Sequence, residues 1–331
     1  MTGSAGSRVE TREVTGDEAD IRLDRWFKRH FPGLGHGRLE KLLRTGQVRV
    51  DGGRVKAKER LRPGQLIRIP PLGGEKSSGR PSRSPVSAAD SKELRARVLY
   101  RDDDIIAIDK QSGLAVQGGS KTVRHLDAML DALGDKGDER PRLVHRLDRD
   151  TSGVLVLARS VSAAAWLGRL FRGREVIKTY WAVVVGEPER DQGRIDLALS
   201  KRPGPRGERM VGDALGLDAV TDFKLIDRVG RQAAWLALRP STGRTHQLRV
   251  HCAAMGTPIM GDGKYGGADA YLGGGGFSKK LHLHARSLSL PKRGGGMLHL
   301  TAPLPAHMAE TWRLLGFDAK YDEDPFAEAP S

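Results

Sequence analysis

Arg142-Leu-Val-His145-Arg146-Leu147-Asp148-Arg149-Asp150-Thr151-Ser152-Gly153 runs straight into Val154-Leu-Val-Leu-Ala158, a dense polar cluster followed by an unbroken apolar run. A short apolar run of this kind reads as a buried strand. The carboxylate of Asp148 then falls just ahead of a core strand, flanked by guanidinium groups that favour its ionised form. On this segment alone, a functional carboxylate and a structural Asp–Arg pair in a turn fit equally well.

Outward from this strand, the chain from Glu93 onward offers further strands at Ile105–Asp109, Thr179–Val185, Ala219–Ile226, Ala233–Arg239, Leu281–Leu290 and Met297–Leu300, with Gly153 opening the first. Helices are expected over Val123–Leu133, Ser162–Arg172, Thr245–Met255 and Ala306–Leu315. Strands outnumber helices and do not alternate strictly with them. That order predicts an α+β domain on a mainly antiparallel sheet, spanning residues 93–317. The acidic stretch 318–331 reads as a frayed tail.

The amino-terminal part has a different character. Residues 1–20 read as a polar arm with a short strand over Val9–Val14. Leu23, Trp26 and Phe27, then Leu39, Leu42 and Leu43, mark two short helices. Gln47–Val50, the turn Asp51-Gly52-Gly53 and Arg54–Lys56 read as a hairpin, and Pro63-Gly64 leads into a strand over Gln65–Ile69. The whole chain carries 56 Lys plus Arg against 41 Asp plus Glu, a net charge of +15. Between Arg22 and Pro71 stand 14 basic and 4 acidic residues, so two thirds of that excess sits in one segment. Such concentration is the footprint of a phosphate-backbone binder. In residues 72–92, 11 of 21 positions are Gly, Pro or Ser, the composition of a flexible linker.

A length of 331 residues suits about two domains. The longest apolar runs, Val154–Ala158 and Trp181–Val185, are far too short to cross a bilayer. With no apolar signal core at the amino terminus, a cytoplasmic location is expected. Cys252 stands alone, which excludes an internal disulfide and any cysteine-rich metal centre. Gly261–Gly266 matches G-x-G-x-x-G formally, but follows an expected helix and lacks the acidic partner, so it reads as a turn. His282 and His284 share one face of a strand; with no third ligand in view, a packing or RNA-contact role is favoured over metal.

A second polar cluster is Ser241-Thr-Gly-Arg244-Thr245-His246-Gln247-Leu248-Arg249-Val250-His251, a glycine turn opening a helix that carries cationic side chains. It suits an RNA phosphate, or a solvated helix end.

Taken together, these segments resemble one family. HRLDRDTSGVLVLA (145–158), KTYWAVVVGEP (178–188), RPSTGRTHQLRVHCAAMGTPIMGDGKYG (239–266), LHLHARSLSL (281–290) and LHLTAPLP (298–305) are similar to the RluA-type pseudouridine synthases, in order and across nearly all of residues 93–317. Residues 21–71, through RLDRWFKRHFP, RLEKLLRTGQVRVDG and RLRPGQLIRIP, resemble an S4-type RNA-binding domain, a small α/β module. The pair is the architecture of the RluC/RluD-type enzymes. Departures are Gln111 and Gln117, where the family more often shows a Pro and a His, and glycine-rich insertions at Gly273–Gly276 and Gly294–Gly296.

The resemblance implies isomerisation of uridines to pseudouridine in large-subunit (23S) ribosomal RNA by a monomer needing neither metal nor organic cofactor. It carries the essential aspartate onto Asp148, the tyrosine against the base onto Tyr180, and the arginine paired with the aspartate onto Arg249. Arg146 matches the arginine that holds the displaced RNA open. RNA contacts are further expected from Arg244 and His246, and from Arg25, Arg38, Lys41 and Arg44 of the S4-like module. Two other readings are a catalytically silent RNA-binding or ribosome-assembly factor, and the same chemistry on transfer RNA.

Overall fold

A computed structural model describes residues 9–72, 87–118, 124–135, 137–204 and 207–327. The chain divides into two units, residues 1–85 and 86–331.

The first unit contains β1 (Glu10–Glu13), α1 (Leu23–His30), α2 (His36–Arg44), β2 (Arg49–Val50) and β3 (Leu66–Ile69). Strand β3 is central, with β1 and β2 antiparallel on either side. The apolar stripes of both helices meet Ile67 and Ile69 in one core. The expected hairpin does not form: Arg49 and Val50 pair with Arg68 and Ile67 rather than with Arg54–Lys56. The left-handed turn at Asp51 and Gly52 explains this, because the Asp51 carboxylate accepts hydrogen bonds from the Leu66 amide and the Gln65 side chain and so recruits β3. The strand expected over Val9–Val14 forms as β1, but residues 15–20 are no loose arm: they bury Glu18, whose carboxylate accepts the Trp26 indole N–H at 2.9 Å and meets the His30 ring. Burial alone would raise the Glu18 pKa, but hydrogen bonds from Trp26, His30 and the Thr15 amide outweigh it and bring it down to about 2.

The second unit runs α3 (Ala88–Arg95), β4 (Val98–Arg101), β5 (Ile105–Lys110), α4 (Leu126–Met129), β6 (Arg142–Leu143), β7 (Ser152–Ala158), α5 (Val161–Gly173), β8 (Ile177–Val185) and β9 (Gln192–Asp196). It continues through β10 (Leu199–Arg202), β11 (Arg209–Gly212), β12 (Val220–Val229), β13 (Ala233–Pro240), α6 (Gln247–Ala254), β14 (Leu283–Pro291), β15 (Met297–Thr301) and α7 (Ala306–Leu315). A ten-stranded sheet follows the order β4-β5-β7-β14-β8-β13-β12-β9, with β15 beside β14 and β6 beside β7. The α+β class with a mainly antiparallel sheet is the observed architecture; β10 and β11 form a separate pair. Alternation along β7 sends Leu155 and Leu157 towards Leu126 and Met129 of α4, and Val154 and Val156 towards Leu167 and Leu170 of α5. Along β8, Ala182 and Val184 meet Leu248 and Cys252 of α6, whereas Trp181 and Val183 meet Met308 and Trp312 of α7.

One pairing breaks the antiparallel rule. Strands β7 and β14 run parallel, with Ser152 opposite His284 and Gly153 opposite Ala285. Gly153 has φ +109, and a Cβ there would fall 2.2 Å from the Ala285 carbonyl oxygen. Ala285 pairs on its other side with Tyr180 of β8. The glycine therefore lets the turn that carries Asp148 enter the sheet one strand away from Tyr180.

Two other expectations need correction. Helix α3 occupies the end of the segment read as linker, because Ser87 caps it through the Asp90 amide, Asp90 pairs with Arg124, and Leu94 is buried. Residues 73–86 lie outside the described residues. The acidic tail packs as far as residue 327: Tyr321 sits edge-on to Trp235, Asp324 pairs with Arg239 at 2.6 Å, and the Arg239 guanidinium lies over the Phe326 ring. Its two aromatic rings overcome its charge. Strands β4, β9, β10 and β11 had no clear apolar alternation to announce them.

The lowered Glu18 pKa sets a sign. Stability from its carboxylate is fully present above the ordinary value of 4.5 and is lost as pH falls towards about 2. Urea midpoints of the first unit, followed through the Trp26 indole NMR signal, should drop across that window, and Glu18→Gln should flatten the dependence. For the sheet, Gly153→Ala should lower thermal stability by at least about 2 kcal/mol through overpacking and strain, measured by calorimetry; an unchanged midpoint would show that the joint tolerates a Cβ.

Candidate active site

The turn between β6 and β7 is held by main-chain contacts. Lys110, at the end of β5, is fully buried, and its ammonium donates to the carbonyls of Gln111, Leu114 and Arg149 at 2.8, 2.9 and 3.0 Å. Burial pushes its pKa down to about 8, against the pull of Asp150, Asp148 and Asp109. The Gly113 amide donates to the same Arg149 carbonyl, and Ser112 Oγ to the Asp150 carbonyl. His145 accepts the Val156 amide at 2.8 Å and stacks on Phe171. Burial, with Lys178 adding to it, holds its pKa down to about 3, so this ring is a neutral structural group.

This scaffolding, with the Thr151 amide bonded to the Asp148 carbonyl, holds the turn at Asp148, and among the described residues its carboxylate accepts no hydrogen bond. The side chain is 18% exposed, and among the described residues the ionisable partner within 4 Å is the His246 ring, its Nε2 3.9 Å from Oδ2. Asp148 lines a cleft of about 880 Å³ together with Tyr180, Arg146, Arg244, His246 and Arg249. Tyr180 is half-buried; withdrawal from water and the nearby Asp148 charge both raise the pKa of its hydroxyl, which stays protonated. Arg146 is exposed at the cleft, and Arg244 donates Nε to the Asp218 carbonyl at 2.9 Å.

Arg249 is where the geometry departs from expectation. It does not pair with Asp148; its Nε and Nη2 donate to the two oxygens of Asp262, both at 2.7 Å. Asp262 is fully sealed from solvent and also accepts the Lys264 and Tyr265 amides. A buried carboxylate needs a partner more than a half-exposed one does, so it takes the guanidinium in a two-pronged bond. The positive charge of Arg249 still faces Asp148 across the cleft without contact. Helix α6 also begins later than expected, at Gln247. The Gln247 side chain is buried and ties Thr242, the Arg244 amide and Val220 together, setting the loop that carries Arg244 and His246.

All six site residues expected in the second unit thus meet at one cleft. Arg25, Arg38, Lys41 and Arg44 lie exposed on the first unit. Gln111 bonds Glu93 of α3, and neither it nor Gln117 lines the cleft. His282 and His284 are fully buried with both ring nitrogens engaged, His282 by Thr311 and the Met260 carbonyl, His284 by Ser152 and the Ala302 carbonyl. They pack; they do not touch RNA. Lys110, Asp262 and Tyr265 were not singled out by sequence reasoning. The available signal was a lysine closing an apolar strand, and an acid and a phenol inside a glycine turn.

Comparison with known proteins places this geometry in a class. The family described as RNA pseudouridylate synthase matches residues 104–254, which include Asp148, Tyr180 and Arg249. Ribosomal large subunit pseudouridine synthase C of Rickettsia felis is 34% identical, over 87% of this chain and 95% of its own length. RNA pseudouridine synthase 4, mitochondrial, of Arabidopsis thaliana is 35% identical, over 90% and 80% respectively. The solved structure of human RNA Pseudouridylate Synthase Domain Containing 4 superimposes with a TM-score of 0.57 at 30% identity, covering 68% of this chain and 95% of that one. The chain belongs to the RNA pseudouridine synthases and, within them, to the RluA type. It is an isomerase of RNA.

Removing the Arg249 partner tests the buried pair. Asp262→Ala strands a guanidinium in the interior and should cost about 3–5 kcal/mol in urea unfolding. A loss below roughly 1 kcal/mol, the range of surface ion pairs, would show that Arg249 finds another partner.

Proposed function

We propose that the enzyme isomerises uridines of large-subunit (23S) ribosomal RNA to pseudouridine as a cytoplasmic monomer, with Asp148 acting on the sugar of an extruded nucleotide. The observation that carries this reading is the carboxylate itself: set on a held turn, open to the cleft, and with no hydrogen bond to it among the described residues. The reaction breaks the bond from uracil N1 to C1′ and makes one from C5 to C1′; C5 gives up its proton to water and N1 takes one up. No atom or electron is gained or lost. An ionised carboxylate beside the sugar can attack C1′ as a nucleophile or take a proton from C2′ as a base. The uncommitted charge of Asp148 serves either route.

Other residues take supporting roles. Tyr180 offers a ring for the flipped base and a protonated hydroxyl beside Asp148. Extrusion costs a few kcal/mol, and the exposed Arg146 at the cleft fits the place left in the stack. Arg249, locked to Asp262, contributes positive potential rather than a direct bond. The basic face of the first unit, with Arg25, Arg38, Lys41 and Arg44, is read as an S4-like tether for RNA backbone. The ribosomal target is supported by the name of the Rickettsia felis relative.

Tritium release from rRNA labelled at uridine C5 tests the assignment. Asp148→Asn should reduce the rate by at least about 10³-fold while RNA affinity stays within about twofold. Activity retained in that variant would remove Asp148 from the chemistry.

A further inference from the structure

His246 stands just ahead of α6 with φ 55 and ψ 20, a left-handed backbone that residues with side chains seldom adopt. The bend aims its ring between two groups. Nε2 lies 3.9 Å from Asp148 Oδ2, and Nδ1 lies 2.6 Å from the Tyr265 hydroxyl. Tyr265 is itself fixed: its oxygen accepts the Met210 amide at 3.2 Å, and the guanidinium groups of Arg249 and Arg209 lie over its ring at 5.0 and 5.3 Å.

A phenol has one proton to donate. Among the described residues, the only acceptor that the Tyr265 hydroxyl meets is His246 Nδ1. With Tyr265 donating to Nδ1, a neutral imidazole carries its own proton on Nε2, on the side of Asp148. Burial, reinforced by Arg249 and Lys264 and opposed by Asp148 and Asp262, lowers the His246 pKa and keeps that ring neutral. The Nε2–H group then has a carboxylate ahead of it, and no second donor remains for an RNA phosphate.

We propose that His246 is a positioning residue for Asp148, its Nε2–H orienting the carboxylate toward the nucleotide sugar, with Tyr265 fixing the tautomer that makes this possible. The gap of 3.9 Å closes to a hydrogen bond when RNA fills the cleft, as such contacts commonly tighten in the substrate complex. The inference rests on reading Asp148 as the catalytic carboxylate.

Single-turnover tritium release with saturating enzyme separates rate from RNA affinity. His246→Asn can adopt the left-handed backbone but places its amide near the old Nδ1, so it should slow the rate by at least about tenfold with affinity nearly unchanged. His246→Gln puts an N–H where Nε2–H was and should recover to within about threefold of wild type. Tyr265→Phe should slow the wild type yet have no further effect in the His246→Gln background, where there is no tautomer to set. A wild-type rate in His246→Asn, a Gln variant no better than Asn, additive effects of Tyr265→Phe, or a loss confined to RNA affinity would each overturn the proposal. Full activity in Asp148→Asn would instead overturn the reading beneath it.

Discussion

Strands β7 and β14 lie side by side only because residue 153 has no Cβ. At that point the sheet reverses its habit: two strands run parallel, and the Ala285 backbone passes where any side chain would stand. The positions of the cleft residues follow. Ala285 bridges Gly153 on one side and Tyr180 on the other, so the turn before β7 emerges beside the tyrosine. His284, next to the joint, bonds Ser152 at 2.9 Å and seals it. Lys110 ties the same turn, through the Arg149 carbonyl, to the carbonyls of Gln111 and Leu114 in the loop after β5. A site assembled on backbone fixed in this way loses little ordering entropy when substrate arrives.

The charges around the cleft divide into those the fold consumes and those it leaves. Asp262 takes both prongs of Arg249, Asp150 meets Arg149, and Asp324 holds Arg239. Each pair engages a guanidinium near the cleft. Asp148 is left with a neutral imidazole at 3.9 Å and cations that act through space. A direct bidentate arginine would hold the carboxylate strongly but would also occupy the lone pairs that the role proposed for Asp148 requires. Placing the guanidinium one residue pair away keeps the field and frees the oxygens.

Much of this was legible in the sequence, for identifiable reasons. The run Val154–Ala158 and the strand around Tyr180 are nearly continuous in apolar residues, so burial announces them whatever surrounds them. Helix α7 spans Ala306–Leu315 as its apolar spacing indicated. The failures share a cause: each turns on a contact between residues distant in sequence. The Asp51 carboxylate recruits β3, Arg124 holds Asp90 of a helix inside a serine-rich stretch, and Tyr321 and Phe326 pack an acidic tail. The partner of Arg249 is the sharpest case. Both Asp148 and Asp262 have basic neighbours in the sequence, and spacing alone does not choose between them. Burial chooses, since Asp262 is sealed and Asp148 is not. Tyr265 was hidden for the same reason, inside a glycine turn whose function is set by what it folds against.

The most direct measurement is a structure of the Asp148→Asn protein bound to an rRNA hairpin that carries a target uridine. The account predicts the nucleotide out of its stack, its base against Tyr180, and C1′ or C2′ within about 3.5 Å of the residue 148 side chain. A uridine still stacked in the hairpin, or a sugar lying far from residue 148 with another group beside it, would contradict the account.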